Sequence, residues 1–385
     1  MPEGCARAFP RFARFTVVFA FAMSCAPFAH ADGPAATRSA FADRRWDAVT
    51  ATDAGLAGAG LATDPASSLY GNPALGLDGP ATFRISGILS QPHRDDLRAS
   101  TTDYQDGSGF PALGELGARW RMKGLGMTAY FSQPHYEHEE TRFVGIDPGT
   151  GEVTGDPFPR RNEFTGATRY AGLGVSARLK NGLALGLAGE AVMLKERYLS
   201  TPQVPAEFPA ADTFDVDRSA TSFGGSIGAA YTANGLVTIG ASYRAAGSVS
   251  YDDGGSDEAP KLTLIGVKVG RTAGSSGYVG ARFLGSRDVN LAEPLGTPYS
   301  ADARSEYAAG YAYLDPAGSW SFRVGGGVSP RPNDGALKLS RFGVALGAGT
   351  DGAKVGLAYE HTSENRPSNR SSSRNLIALT VEVSK

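Results

Sequence analysis

From Thr82 to the C-terminus, apolar and polar positions alternate in short segments broken by turn residues. Period-two alternation marks strands with one apolar and one polar face. Fourteen segments follow it, near 81–90, 114–123, 125–138, 166–180, 182–199, 219–233, 236–250, 260–272, 277–288, 303–314, 319–329, 337–349, 353–362 and 374–384. Near 182–199, Leu183, Leu185, Leu187, Ala191 and Met193 share one face, and Ala184, Gly186, Ala188 and Glu190 the other. Near 236–250, Val237, Ile239, Ala241 and Tyr243 oppose Thr238, Gly240, Ser242 and Arg244. Near 319–329, Trp320, Phe322 and Val324 oppose Ser321 and Arg323.

The connections alternate in length. Tight turns are expected at Lys123-Gly124, Asn181-Gly182, Asn234-Gly235, Ala273–Ser276, Asp315–Gly318 and Asp351-Gly352, where Gly or Asn supplies positive φ. Between those hairpins the connections are mostly longer, at 91–113, 139–165, 200–218, 251–259, 289–302, 330–336 and 363–373. A soluble sandwich also alternates apolar with polar, so alternation alone does not choose. Short turns at one end and long loops at the other point to a transmembrane antiparallel up-and-down β-barrel. Trp120, Tyr231, Tyr313 and Trp320 fall on apolar phases beside the short turns, where an interfacial ring keeps its polar atom wet. A basic residue facing the bilayer midplane costs about 2–4 kcal/mol, so the polar phases must face the bore. An even strand count puts both ends of the barrel chain on the short-turn, periplasmic side of an outer membrane.

The first 79 residues lack this alternation. Arg7, Arg11 and Arg14 precede an apolar core at Phe15–Ala22 and a small-x-small site at Ala29-His30-Ala31, the layout of an export signal. A lipoprotein signal anchored at Cys25 is the alternative, but Ala22-Met23-Ser24 matches such a site poorly. The expected division is a signal peptide at 1–31, a hatch or plug at 32–79 and the barrel at 80–385. Cys5 and Cys25 both lie in the signal, so the mature chain has no thiol chemistry. The full chain of 385 residues carries a formal charge of −2. Loss of three Arg and Glu3 leaves it mildly acidic, with no nucleic-acid footprint. A barrel of this size is too wide for its own side chains to fill, so 32–79 has room inside. Asp43, Arg44, Arg45, Asp47, Asp53 and Asp64 would pair there with inward Arg84, Arg119, Arg121, Arg178, Arg282, Arg323, Glu190 and Glu360. A free periplasmic tail is the alternative.

Gly55–Leu77 is too rich in small residues for an ordinary amphipathic helix, and Asn72-Pro73-Ala74 makes a rigid turn because Pro fixes φ and restricts its predecessor. The run from Gly58 and Gly60 through Asp64 to Asn72, Pro73 and Ala74, followed by a strand at Ala81–Gly87, resembles the hatch of the FadL-type outer-membrane transporters of long-chain fatty acids and aromatic hydrocarbons. The specific likeness covers about 30 residues, and related PorV-type secretion barrels share the Asn-Pro-Ala hatch. The C-terminal Val383-Ser384-Lys385 departs from the terminal aromatic usual in such barrels.

The resemblance implies passive uptake: an apolar ligand enters a pocket above the hatch, the hatch shifts, and the ligand leaves sideways through a kink in the third strand. Pro134 is the candidate kink; a frayed strand end is its other reading. Val204, Phe208 and Phe214 make 200–218 unusually apolar, as a ligand-capture surface or as a loop packed on itself. Arg178, Arg244 and Arg282 are candidates to hold a carboxylate, beside a structural role in pairing with the plug. His135-x-x-His138-Glu139-Glu140 has no second ligand group for a metal, and no Gly-Lys-Ser/Thr loop is present. No enzyme activity, cofactor or metal is expected. The partners expected are outer-membrane lipid and a hydrophobic small molecule. A structural or secretion-partner barrel is the rival, and a general polar pore is disfavoured by the plug.

Overall fold

The computed structural model describes residues 48–94, 103–105, 111–143, 160–202, 214–251, 255–258, 261–271, 273–290, 299–301, 303–330, 337–350, 352–365 and 371–385. Fourteen antiparallel strands form the wall: β1 Thr82–Arg94, β2 Pro111–Met122, β3 Leu125–Phe143, β4 Arg160–Arg178, β5 Leu183–Pro202, β6 Phe214–Ala233, β7 Val237–Ala246, β8 Leu262–Gly270, β9 Gly274–Leu284, β10 Arg304–Leu314, β11 Trp320–Pro330, β12 Leu337–Gly349, β13 Ala353–Asn365 and β14 Ser371–Ser384. Each pairs with its sequence neighbour, and β1 pairs with β14 from Thr82↔Ser384 to Arg94↔Ser372. The sheet therefore closes and has no free edge, the condition a strand-built membrane span must meet.

The faces divide as the alternation predicts. Leu187 is 58% exposed, Leu173 70% and Phe223 78%, all on the outer surface, while Ala184, Glu190, Ser242 and Arg244 are buried inside. An outer surface this apolar suits hydrocarbon and would aggregate in water. Lys123 and Asn234 both take positive φ, each followed by a positive-φ glycine, as two-residue hairpin turns require.

Several boundaries differ from the sequence reading. β9 runs Gly274–Leu284, so the turn expected at Ala273–Ser276 lies earlier and Arg287–Asn290 belongs to another sheet. β3 to β6 run 19 to 20 residues, longer by three to six at the long-loop end. A spanning strand needs about 9–11 residues. Above the bilayer both faces are wet, so alternation fades while the backbone ladder continues. β7 stops at Ala246, and Ser248–Ser250 instead joins Ser256–Glu258, Arg287–Asn290 and Tyr299–Ala301 in a separate four-stranded sheet at the long-loop end.

The leading segment lies inside the ring and follows its wall. A short helix, α1 (Ala51–Gly55), begins at Thr50, whose side chain accepts from Asp53 N at 3.2 Å. From there the chain passes inward glycines of successive strands: Ala54 against Gly343 of β12, Leu56 against Gly325 of β11 and Gly310 of β10, Ala59 against Gly280 of β9, Ala62 against Gly240 of β7. Asn72 then meets Gly228 of β6, Pro73 meets Gly186 of β5, and Gly76 reaches β3 and β4 at Gly126 and Ser176. The plug so makes nearly one circuit of the bore, against the strand order, before entering β1. A Cβ added at Gly343, Gly240 or Gly228 would overlap plug atoms well inside van der Waals contact.

The glycine track yields a direct test. Gly343→Val should unseat α1 at a cost of about 1–3 kcal/mol for overpacking. The wall should still form, and single-channel conductance in planar bilayers should rise. Gly189→Ala, where no atom lies within 4 Å of the added carbon, is the control and should leave conductance unchanged.

Candidate functional site

The plug has little regular structure, so its backbone groups need other partners. Wall arginines supply many of them. Arg84 donates to Ser67 O at 2.7 Å, Arg119 to Pro65 O at 3.1 Å and Arg121 to Leu77 O at 2.7 Å. Arg244 donates to Tyr70 O. Glu115 of β2 accepts from Leu69 N at 2.9 Å, so residues 65–69 reach across the bore towards β1 and β2. Glu115 gets there through a bulge: the β1–β2 register shifts at Ser86/Gly87, so Gly114 and Glu115 both face inward.

Asn72 is the knot of the plug. Its amide donates to Ala62 O at 2.9 Å and to Ala229 O of β6 at 3.2 Å, and its oxygen accepts from Ala74 N at 3.0 Å. It caps the 3-10 turn Pro73–Leu77, where Pro at the first position loses no hydrogen bond. One side chain thus ties both ends of the 62–72 excursion to the wall. Gly58 takes φ +83 beside the Arg282 guanidinium, and a Cβ at Gly60 would come within 2.9 Å of Leu56 and Ser67 side-chain atoms. Asp64 accepts from Ala66 N at 2.9 Å. Burial opposes its charge, but Lys268 and Arg323 hold its carboxyl below the usual range. Asp53 behaves oppositely: burial raises it, and the hydrogen bonds from Thr50 and Ser68 with the charge of Arg84 offset that only partly.

The candidate carboxylate holders are each engaged by a protein carboxylate. Arg244 pairs with Glu190 at 2.7 Å, flanked by the rings of Tyr70 and Tyr170. Arg282 pairs with Glu306. Arg178, 46% exposed near the short-turn end, pairs with Asp78 of the plug. The expected plug residues Asp43, Arg44, Arg45 and Asp47 lie outside the described residues, as do Val204 and Phe208. Phe214 opens β6 rather than ending a loop.

Pro134 is buried within β3 and is not a frayed end: pairing with β4 skips Gln133 and Pro134 and resumes at His135↔Thr168. On its other edge β3 pairs with β2 only as far as Ser132↔Glu115, at the Gly114 bulge, although β2 continues to Pro111 against β1. Among the described residues, no ladder covers that edge again until Glu140↔Gln105.

On the long-loop side of the plug, an apolar cluster fills the bore between β3 and β8, with Tyr70 and Leu61 from the plug against Tyr130, Tyr170, Val192, Leu194, Leu262 and Leu264. The opposite half is ionic. Arg282, Glu306, Arg341 and Glu360 run across β9 to β13, with Arg341 3.6 Å from Glu306 and 3.1 Å from Glu360. Sequence reading missed Glu115, Glu306 and Arg341. Inward phase placed such residues in the bore, but nothing local names a partner two strands away.

The sequence matches no protein-family model and no curated protein. Solved structures do match. Superposition on a FadL homologue from Pseudomonas aeruginosa gives a TM-score of 0.58 over 87% of this chain and 98% of that one, at 14% identity. The chain has the fold of the FadL-type transporters. The Ralstonia pickettii toluene transporter TbuX gives 0.60 over 88% and 99% at 14% identity, and the Pseudomonas putida toluene transporter TodX 0.57 over 89% and 99% at 13%.

Asn72→Ala should cost about 1–3 kcal/mol, since it leaves buried carbonyls unpaired. Faster proteolysis within 58–76, with the heat-modifiable gel shift of the barrel intact, is the expected readout. Asp53 also imposes a pH dependence. Its folded pKa lies above its ordinary 3.8, so the folded state holds the proton more tightly. Stability should therefore fall as pH rises from about 4 through the raised value. Asp64 contributes oppositely, and only below its ordinary 3.8. The urea midpoint should drop as pH rises above about 4 in the native chain and stay flatter in Asp53→Asn.

Proposed function

We propose that this protein is an outer-membrane channel for passive uptake of hydrophobic small molecules, with long-chain fatty acids and aromatic hydrocarbons as the ligand classes. The observation that carries this reading is the apolar cluster over the plug, buried between β3 and β8 and facing the long loops. Polar pores are lined for water, whereas this half of the bore offers tyrosine faces and leucine and valine methyls. The FadL homologue and the toluene transporters share the fold, which supports the same mode of use. The long-loop end faces outward, and both ends of the barrel chain lie in the periplasm. The plug is the hatch, preceded by an export signal at 1–31.

In this reading the ligand partitions into the cluster and passes out beside β3. The ladder gap from Gln133 past Pro134, over the start of β2, is the lateral exit. Val204, Phe208 and Phe214 begin the route as its outer capture surface. Arg244 and Arg282 would receive a ligand carboxylate only by exchange with Glu190 and Glu306, so neutral hydrocarbons meet the lower barrier. Arg178 lies on the far side of the plug and would act last. No step requires catalysis or a bound cofactor.

A structural or secretion-partner barrel is the second reading, favoured by the ionic half of the bore. Uptake of labelled toluene and labelled oleate by cells with and without the protein separates the two. Expression should raise uptake several-fold. Pro134→Ala restores an N–H to the strand and should lower uptake without lowering the amount of folded barrel. Equal uptake with and without the protein would falsify transport and leave the structural role.

A further inference from the structure

Below the plug, at the short-turn end, lies a cavity of about 210 Å³. That is room for about seven waters at liquid density, enough for a ligand of roughly ten heavy atoms. Its roof is the plug, at Thr52 and the Asp64-Pro65-Ala66 turn, and its wall comes from β1, β2 and β8 to β14. It shares no residue with the apolar cluster above the plug.

The charge in this cavity is one-sided. Five cations line it, Arg84, Arg119, Lys268, Arg323 and Lys354, against two carboxylates, Asp64 and Glu382. Both carboxylates offset part of that charge, Glu382 by pairing with Arg84 and Asp64 by facing Lys268 and Arg323, which leaves three more cations than carboxylates. Glu382 accepts two hydrogen bonds from Arg84, at 2.7 and 3.1 Å, and Asp64 accepts from Ala66 N. Arg119 is 5% exposed and Lys268 7%. The oxygen atoms hydrogen-bonded to Arg119 and Arg323 are uncharged, Pro65 O and Ser321 Oγ. The Nε atoms of Arg119 and Arg323 have no hydrogen-bond partner among the described residues. Arg119 and Lys268 are buried cations without a carboxylate hydrogen-bonded to them among the described residues, which is costly, and a bound anion lowers that cost. The inward apolar part of the lining is Tyr278 with Ala51, Pro65, Ala312 and Ala345, beside the hydroxyls of Ser276, Ser321 and Thr380. Inorganic phosphate would leave that surface bare.

We propose that the cavity is a binding site for a small organic carboxylate with an aromatic or short aliphatic body, entering from the short-turn end. Its carboxylate takes the arginine and lysine donors, and its body covers Tyr278 and the alanines around it. An occupant shares Lys268 and Arg323 with Asp64, so the site is coupled to the plug turn it lies beneath. It is separate from the uptake reading and stands or falls without it.

The test is calorimetric titration of the purified full-length barrel in detergent with benzoate, beside benzyl alcohol and inorganic phosphate. Benzoate should bind, and the other two should bind at least tenfold more weakly. Lys268→Gln with Arg323→Gln should weaken benzoate at least tenfold. Because those changes also loosen Asp64, Ser321→Asp is the second variant. It places a carboxylate beside Arg323 and relieves the excess charge, so it should fold and also lose benzoate. Benzoate bound equally by native chain and Ser321→Asp, or phosphate bound as tightly as benzoate, overturns the proposal. Toluene uptake through Ser321→Asp cells, measured in parallel, should match the native level, and its failure in native cells would count against uptake alone.

Discussion

The whole arrangement depends on one steric constraint: plug backbone lies directly on wall backbone. Where a side chain would otherwise stand, the inward positions of β5, β6, β7, β9, β10, β11, β12 carry glycine. Glycine weakens a strand interior because it gives the ladder no side chain to pack and loses the most entropy on folding. Closure of the sheet offsets that loss, since every strand has two neighbours. The plug answers with alanine and glycine, small enough to follow the curve of the wall. A segment of large residues could not make the circuit. A wall of large residues would push the segment into the centre, where its amides would find no partners.

Close approach also explains the arginines. A chain coiled against a wall without regular pairing leaves carbonyls pointing into the bore, and each needs a donor. A guanidinium has five N–H groups in a fixed fork, so one side chain can serve a plug carbonyl and a wall carboxylate together. Arg84 does so between Ser67 O and Glu382, and Arg244 between Tyr70 O and Glu190. The carboxylates are then part of the plug's anchorage. In the β9–β13 half, Gly327 on β11 lets Arg341 reach past a strand to Glu306. That half is filled by charge, which leaves the apolar path to the β3–β8 half.

How much of this was legible in the sequence follows from where water and lipid meet the chain. Inside the bilayer, one face must be apolar, so Leu185, Leu187, Ile239 and Tyr243 announced their strands and their phase. Above it that pressure stops, which is why the outer ends of β3 to β6 could not be read. Asn72-Pro73-Ala74 was legible because its restraints are local: proline sets φ and asparagine caps the turn that follows. The glycine track was visible only as small inward residues such as Gly186 and Gly240, which suit a wet pore equally well. Their meaning depends on the plug lying against them in space and more than 100 positions away in sequence. The same holds for Glu115, whose inward reach depends on a bulge that alternation does not encode.

Irregularity in the wall is not spread evenly. The Gly114 bulge and the break at Gln133-Pro134 both fall around β2. The Glu115 made available by the first is hydrogen-bonded to Ser132, the last residue paired before the second. Glu115 also holds Leu69 N of the plug and lies 3.4 Å from Arg84. A movement of residues 65–69 would therefore act on Glu115, and through Ser132 on the strand at the point where its ladder is interrupted. Apart from the β11–β12 shift at Ser329/Pro330, a plug shift elsewhere around the ring would press on continuous pairing, where the cost of parting strands is a row of hydrogen bonds. Wall and plug are thus mechanically joined at the one sector where the wall is already least continuous.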